Sequence, residues 1–148
     1  MKAILLAIAA GLCWGVGEVA TRSALHSKEI GPFAAVMFRS LVALPLIVIA
    51  FFIARDFSAV EAQPLRGISG ATWSKIILGS GLVAGAAALI FFYAALSLGE
   101  ISRIKPIAFA LAPATGVVLG WLLLGEPMTA RKVAGVVLIL LGVVVLTK

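Results

Sequence analysis

Residues 76–99 read IILGSGLVAGAAALIFFYAALSLG, twenty-four consecutive positions without one charged side chain. At 1.5 Å per residue a helix of that length reaches about 36 Å, more than the roughly 30 Å of a bilayer's hydrocarbon core. An apolar run of that length without a charge reads as a membrane span. Working outward from charge to charge predicts four more apolar runs: 3–21, interrupted by Glu18; 33–54, interrupted by Arg39; 106–125, uncharged; and 131–147, with Arg131 and Lys132 extending it by snorkelling. The fold class expected is therefore an all-α membrane protein, a bundle of five transmembrane helices in one domain over 1–148. Nothing alternates at period two, which excludes a transmembrane barrel.

Composition agrees. The 148 residues are 63% hydrophobic and 12% charged, with a mean hydropathy of +1.21, against about 25% charged in ordinary soluble domains. One cysteine forms no disulfide framework, and one histidine leaves metal or triad chemistry almost no material, so no enzyme activity, cofactor or metal is expected. The net charge of +6 comes from singly scattered Lys and Arg rather than from a basic patch, which argues against nucleic acid and for the ends of membrane spans.

Those cations nearly balance across the membrane. With five spans the N-terminal side holds Lys2, Arg55, Arg66, Lys75, Arg131 and Lys132, and the other side holds Arg22, Lys28, Arg103, Lys105 and Lys148. Orientation follows the Lys/Arg excess of short loops, and six against five is a weak bias, compatible with dual insertion. The long connection 55–75, with Pro64, Gly67 and Gly70, reads as a connector with Trp73 as interface anchor. His26 is expected in a solvated loop, Cys13 as a packed apolar thiol, and Pro106 at a helix start.

Small residues four apart mark close-packing faces: Gly11 and Gly15, Gly81 and Gly85, and the ridge Ala108, Ala112, Gly116, Gly120. Pro45 and Pro113 fall inside spans, where they remove helix hydrogen bonds.

Glu18 and Arg39 are the ionisable groups inside apolar spans, each costing about 2.5 to 3.5 kcal/mol at the bilayer centre, so pairing or function is the default explanation. Counted from Arg22 and Phe33 they lie about 6 and 9 Å deep from the same side. A structural ion pair is geometrically available, and both are candidates for substrate or coupling-ion binding. A proton role for Glu18 needs surroundings that favour its neutral form, against which a nearby Arg39 works. Arg103 and Lys105 are possible contacts for an anionic ligand or for headgroups, and Trp14 and Tyr93 possible cavity-lining residues.

The tail Leu124-Gly125-Glu126-Pro127-Met128-Thr129, followed by Gly135 and 138–143, resembles the end of an EamA-type domain of the drug/metabolite transporter superfamily. Trp14-Gly15, Phe38-Arg39, Tyr93-Ala94-Ala95-Leu96, 99–103 and Pro106-Ile107 resemble the same domain in its small five-helix bacterial and archaeal members. The resemblance implies a multi-pass transporter moving a small metabolite or drug by alternating access in a prokaryotic inner membrane. Larger relatives join two five-helix repeats of opposite orientation around a central cavity, so one repeat implies a homodimer, possibly antiparallel. Gly17-Glu18-Val19 loosely resembles the setting of the first-helix glutamate of the small multidrug resistance proteins, which differ in having four spans. The alternative function is a lipid-linked flippase or accessory membrane subunit without ion coupling, in which Arg39, Arg103 and Lys105 engage phosphate headgroups.

Overall fold

The computed structural model describes residues 1–148 and contains helices and no strand. Five helices are long and apolar enough to cross a membrane: α1 Lys2–His26, α2 Pro32–Arg55, α3 Gly70–Leu98, α4 Ile101–Leu124 and α5 Ala130–Thr147. The chain divides into two compact units, Met1–Ser97 and Leu98–Lys148.

Three boundaries lie beyond the expected ones, for one reason. α1 ends after Thr21, and α4 starts before Pro106. α3 starts at Gly70 and not at Ile76, which shortens the 55–75 connection and takes in Trp73 and Lys75. Charges mark where side chains reach water and not where helices end, because a helix continues through the interface while long side chains snorkel. α1 therefore runs past Thr21 and Arg22 to His26, which is the last helical residue rather than a loop residue and lies where a cation favours the helix dipole. α4 starts at Ile101, so Pro106 is inside the helix and not at its start. Three prolines, Pro45, Pro106 and Pro113, thus sit within helices that run on through them.

In the N-terminal unit, α1 packs against α2, and α3 joins them through a side-chain contact described below. α3 begins at Ser69, whose hydroxyl caps the helix by accepting the Thr72 N–H at 3.2 Å. From Lys75 to Ala87 its turns widen to the π form, in which hydrogen bonds close over five residues. A Cβ built on Gly81 would lie 3.4 Å from the Ile76 carbonyl oxygen, and one on Gly85 3.3 Å from that of Ser80. Each contact is to the carbonyl five residues back, as the π turn dictates, at or just inside ordinary van der Waals distance.

The C-terminal unit is a helical hairpin of α4 and α5. Gly125 ends α4 in the left-handed region at φ +67°, a conformation that a Cβ disfavours, and Glu126 N–H turns back to donate to the Gly120 carbonyl at 3.1 Å. The Glu126 side chain then folds over Gly120, where a Cβ would stand 3.2 Å from its Cδ, and its Oε2 accepts from Lys132 Nζ at 3.3 Å. Thr129 caps α5 by accepting the Lys132 N–H at 3.3 Å. Gly120 at the end of the small-residue ridge is therefore filled by its own hairpin, whereas a Cβ at Gly116 would meet nothing within 4 Å.

Few side chains are buried within the chain itself. The buried apolar residues are Leu25, Tyr93, Leu96 and Ala110, and α2 buries none. Such a surface is stable where lipid, not water, faces it.

The Gly125 turn yields a signed prediction. Gly125→Ala should lower stability by about 1 to 2 kcal/mol because of the left-handed backbone. Gly142→Ala, in the interior of α5 where a Cβ meets nothing within 4 Å, should raise it by about 0.8 to 1 kcal/mol. Unfolding of the detergent-purified protein measures both, and equal effects would contradict the turn.

Candidate functional site

The polar residues of the first three spans converge. α1 presents Trp14, Gly17, Glu18 and Thr21 at i, i+3, i+4 and i+7, one face of a helix. That face lines a cavity of about 310 Å³, closed by Arg39 from α2 and Tyr93 from α3. Cys13 and Ala35 complete the wall. Glu18 is only 4% exposed and Tyr93 1%, while Trp14 is half exposed. Glu18, the charged residue in the apolar part of α1, is thus turned inward while most of the helix's apolar side chains face out, the arrangement expected in lipid.

Depths match in the structure as they do in the sequence. Glu18 lies eight residues before the end of α1 at His26, about 12 Å, and Arg39 seven residues after the start of α2 at Pro32, about 11 Å. Both side chains consequently reach one cavity.

Arg39 is held by Tyr93. Its Nη1 donates to the Tyr93 hydroxyl at 3.2 Å, and its guanidinium carbon lies 5.6 Å from the ring centroid, within cation–π range. The Tyr93 hydroxyl also lies 3.3 Å from Thr21 Oγ1, which in turn is 3.1 Å from the Gly17 carbonyl oxygen. Donor inventory fixes the direction of this chain. Arginine only donates and a carbonyl only accepts. Arg39 therefore donates to Tyr93, Tyr93 to Thr21, and Thr21 to the Gly17 carbonyl, so both hydroxyl protons are used without a water. One run of hydrogen bonds ties α2, α3 and α1 together.

The remaining candidates lie in the C-terminal unit. Arg103 is exposed in the first turn of α4. Lys105 is half-buried, with Nζ 5.2 Å from the Phe109 ring centroid. No three His, Cys, Asp or Glu side chains converge as a metal site.

Four residues of the cavity wall, Cys13, Gly17, Thr21 and Ala35, escape the sequence expectations. In the sequence Thr21 reads as a span end and Gly17 only as a neighbour of Glu18, although the i, i+3, i+4, i+7 spacing from Trp14 places both on one helix face. Cys13, expected to be packed, is exposed and forms part of the cavity wall. It faces open space because α1 buries no apolar side chain before Leu25.

With this geometry in hand, comparison with known proteins decides the family. A family model described as the EamA-like transporter family matches residues 1–148. The chain belongs to the EamA-like transporter family. It is an integral, multi-pass membrane protein and a membrane transporter in the general sense, as the sequence reading expected. No curated protein and no solved structure matches it. In this EamA-family chain, Arg39 and Tyr93, both within segments of the resemblance, meet in the wall of one cavity.

The hydrogen-bond chain makes Tyr93→Phe a sharp probe. The substitution keeps the ring against Arg39 and removes both hydroxyl contacts, so stability should fall by about 1 to 3 kcal/mol, as for a buried group left without its partner. Thr21→Ser, which retains the hydroxyl, should stay within about 0.5 kcal/mol of the parent. Thermal unfolding in detergent tests this, and an unchanged Tyr93→Phe protein would contradict the chain.

Proposed function

We propose that the chain acts as one EamA repeat in a single transmembrane domain, and that it moves a small metabolite or drug by alternating access as a homodimer in a prokaryotic inner membrane. The observation carrying this reading is the cavity in the N-terminal unit, where an inward-turned carboxylate, Glu18, and an arginine, Arg39, share a wall inside spans that are otherwise apolar. Charges at that depth are retained when they bind something or pair. Glu18 and Arg39 are the substrate or coupling-ion residues in this reading. Trp14 supplies an aromatic wall, and Tyr93 orients the guanidinium of Arg39.

Dimerisation is supported by the near-even Lys/Arg distribution, which permits both orientations, and by open small-residue positions. A Cβ at Gly11 or Gly116 would meet nothing within 4 Å, leaving room for a second backbone. An antiparallel pair would supply the inverted repeat on which alternating access depends in many transporters.

One reconstitution experiment tests the residue and the assembly together. In proteoliposomes with an imposed pH gradient, gradient-driven flux of a substrate found by thermal-shift screening should be lost in Glu18→Gln. Titrating Glu18→Gln subunits into wild-type protein should lower flux more steeply than in proportion to their fraction. Undiminished gradient-driven flux in the variant removes Glu18 from coupling, and a strictly proportional decline removes the functional dimer. Stabilisation by anionic lipid alone, with no soluble ligand found, would turn the reading toward lipid translocation through Arg39, Arg103 and Lys105.

A further inference from the structure

The connection between α2 and α3 is not a plain aqueous linker. It exposes large apolar side chains, Phe57 at 85%, Val60 at 74% and Leu65 at 51%. Single exposed apolar side chains are ordinary on a water-facing surface, but three large ones within nine residues of one connection are a concentration that calls for a partner.

Chain geometry limits where they can be. Phe57 follows the last residue of α2, Arg55, by two positions, so even extended backbone carries it no more than about 7 Å from the helix end. The headgroup region adds about 5 to 7 Å on each side of the hydrocarbon. The backbone is not extended there. Phe57 N–H and Ser58 N–H both donate to the Ala54 carbonyl, at 3.1 and 2.9 Å, which continues the winding of α2 and keeps Phe57 within one turn of the helix end. At the far end, Trp73 lies in the first turns of α3, half exposed, with Lys75 beside it.

The same segment supplies its own backbone partners. Ala62 N–H donates to Ser58 O at 3.0 Å, Gln63 to Val60 O at 3.2 Å, Gly67 to Pro64 O at 3.1 Å and Ile68 to Leu65 O at 3.3 Å. Peptide groups satisfied internally lose less on leaving water than those of an open loop would.

We propose that residues 56–69 form an interfacial shelf, with Phe57, Val60 and Leu65 inserted at the boundary between headgroups and acyl chains on the face where α2 ends, and the lipid surface as their partner. Arg55, Arg66 and Lys75 then lie at headgroup level, where cations are favoured, and Arg55 stays close to the apolar layer through the Phe51 ring, 5.9 Å from its guanidinium carbon. Glu61, in the middle of the segment, stays on the aqueous side. The shelf would hold the ends of α2 and α3 at a set depth.

Nitroxides test it on the full chain. In a Cys13→Ala background, single cysteines at Phe57, Val60 and Glu61 are spin-labelled and the protein reconstituted into phosphatidylethanolamine/phosphatidylglycerol vesicles. The ratio of collision rates with oxygen and with a water-soluble nickel chelate is expected to be several-fold higher at 57 and 60 than at 61. Chelate access at 57 or 60 equal to that at 61 would place the loop in water and overturn the proposal. Shielding of 57 and 60 from oxygen and chelate alike would overturn it in favour of a protein partner. Label positions are exposed, so the fold is not at stake, and the circular dichroism of each variant checks this.

Discussion

Hydrocarbon offers no partner to a polar group, so each one within a span must be answered by the protein itself. In the N-terminal unit Arg39 meets that constraint through a run of hydrogen bonds that passes by Tyr93 and Thr21 to the Gly17 carbonyl. Apolar packing could not do the same work there. α2 buries no residue, and its side chains are as comfortable against lipid as against α1. The polar chain gives the three helices a defined register. It also commits the only proton of the Tyr93 hydroxyl to Thr21, which turns an oxygen lone pair toward the guanidinium of Arg39.

The five spans were legible because their cause is legible: long apolar runs bounded by cations have one stable solution in a bilayer. The ends were less so. Arg22 and Lys105 look like boundaries in a list of residues, yet α1 and α4 extend through them, since a charged head needs only to reach water while its backbone stays helical. Pro106 misleads for a related reason, because proline marks helix starts in water but is tolerated within membrane helices.

For the candidate site, the depth match of Glu18 and Arg39 could be counted from the sequence, and the structure brings both to one cavity. The role of Tyr93 as the acceptor for Arg39 could not, because it depends on how α3 is rotated, and the π turns from Lys75 to Ala87 set that rotation in a way no 3.6-residue periodicity describes. In the C-terminal unit, the Leu-Gly-Glu-Pro-Met-Thr segment turned out to be a hairpin fastening. Gly125 makes the turn, Gly120 leaves room for the Glu126 side chain, and Thr129 opens the next helix. The segment is thus accounted for by the turn at Gly125 together with the side chains of Glu126 and Thr129.

The functional account stands on the cavity being a route for solutes rather than a crevice filled by acyl chains. Cys13, the single cysteine of the chain, lies in its wall and reports on this directly. In sealed proteoliposomes, a charged, membrane-impermeant methanethiosulfonate should modify Cys13, and a bound substrate should slow that reaction. If Cys13 reacts only with apolar, membrane-permeant reagents, the cavity opens to lipid and the transport site lies elsewhere.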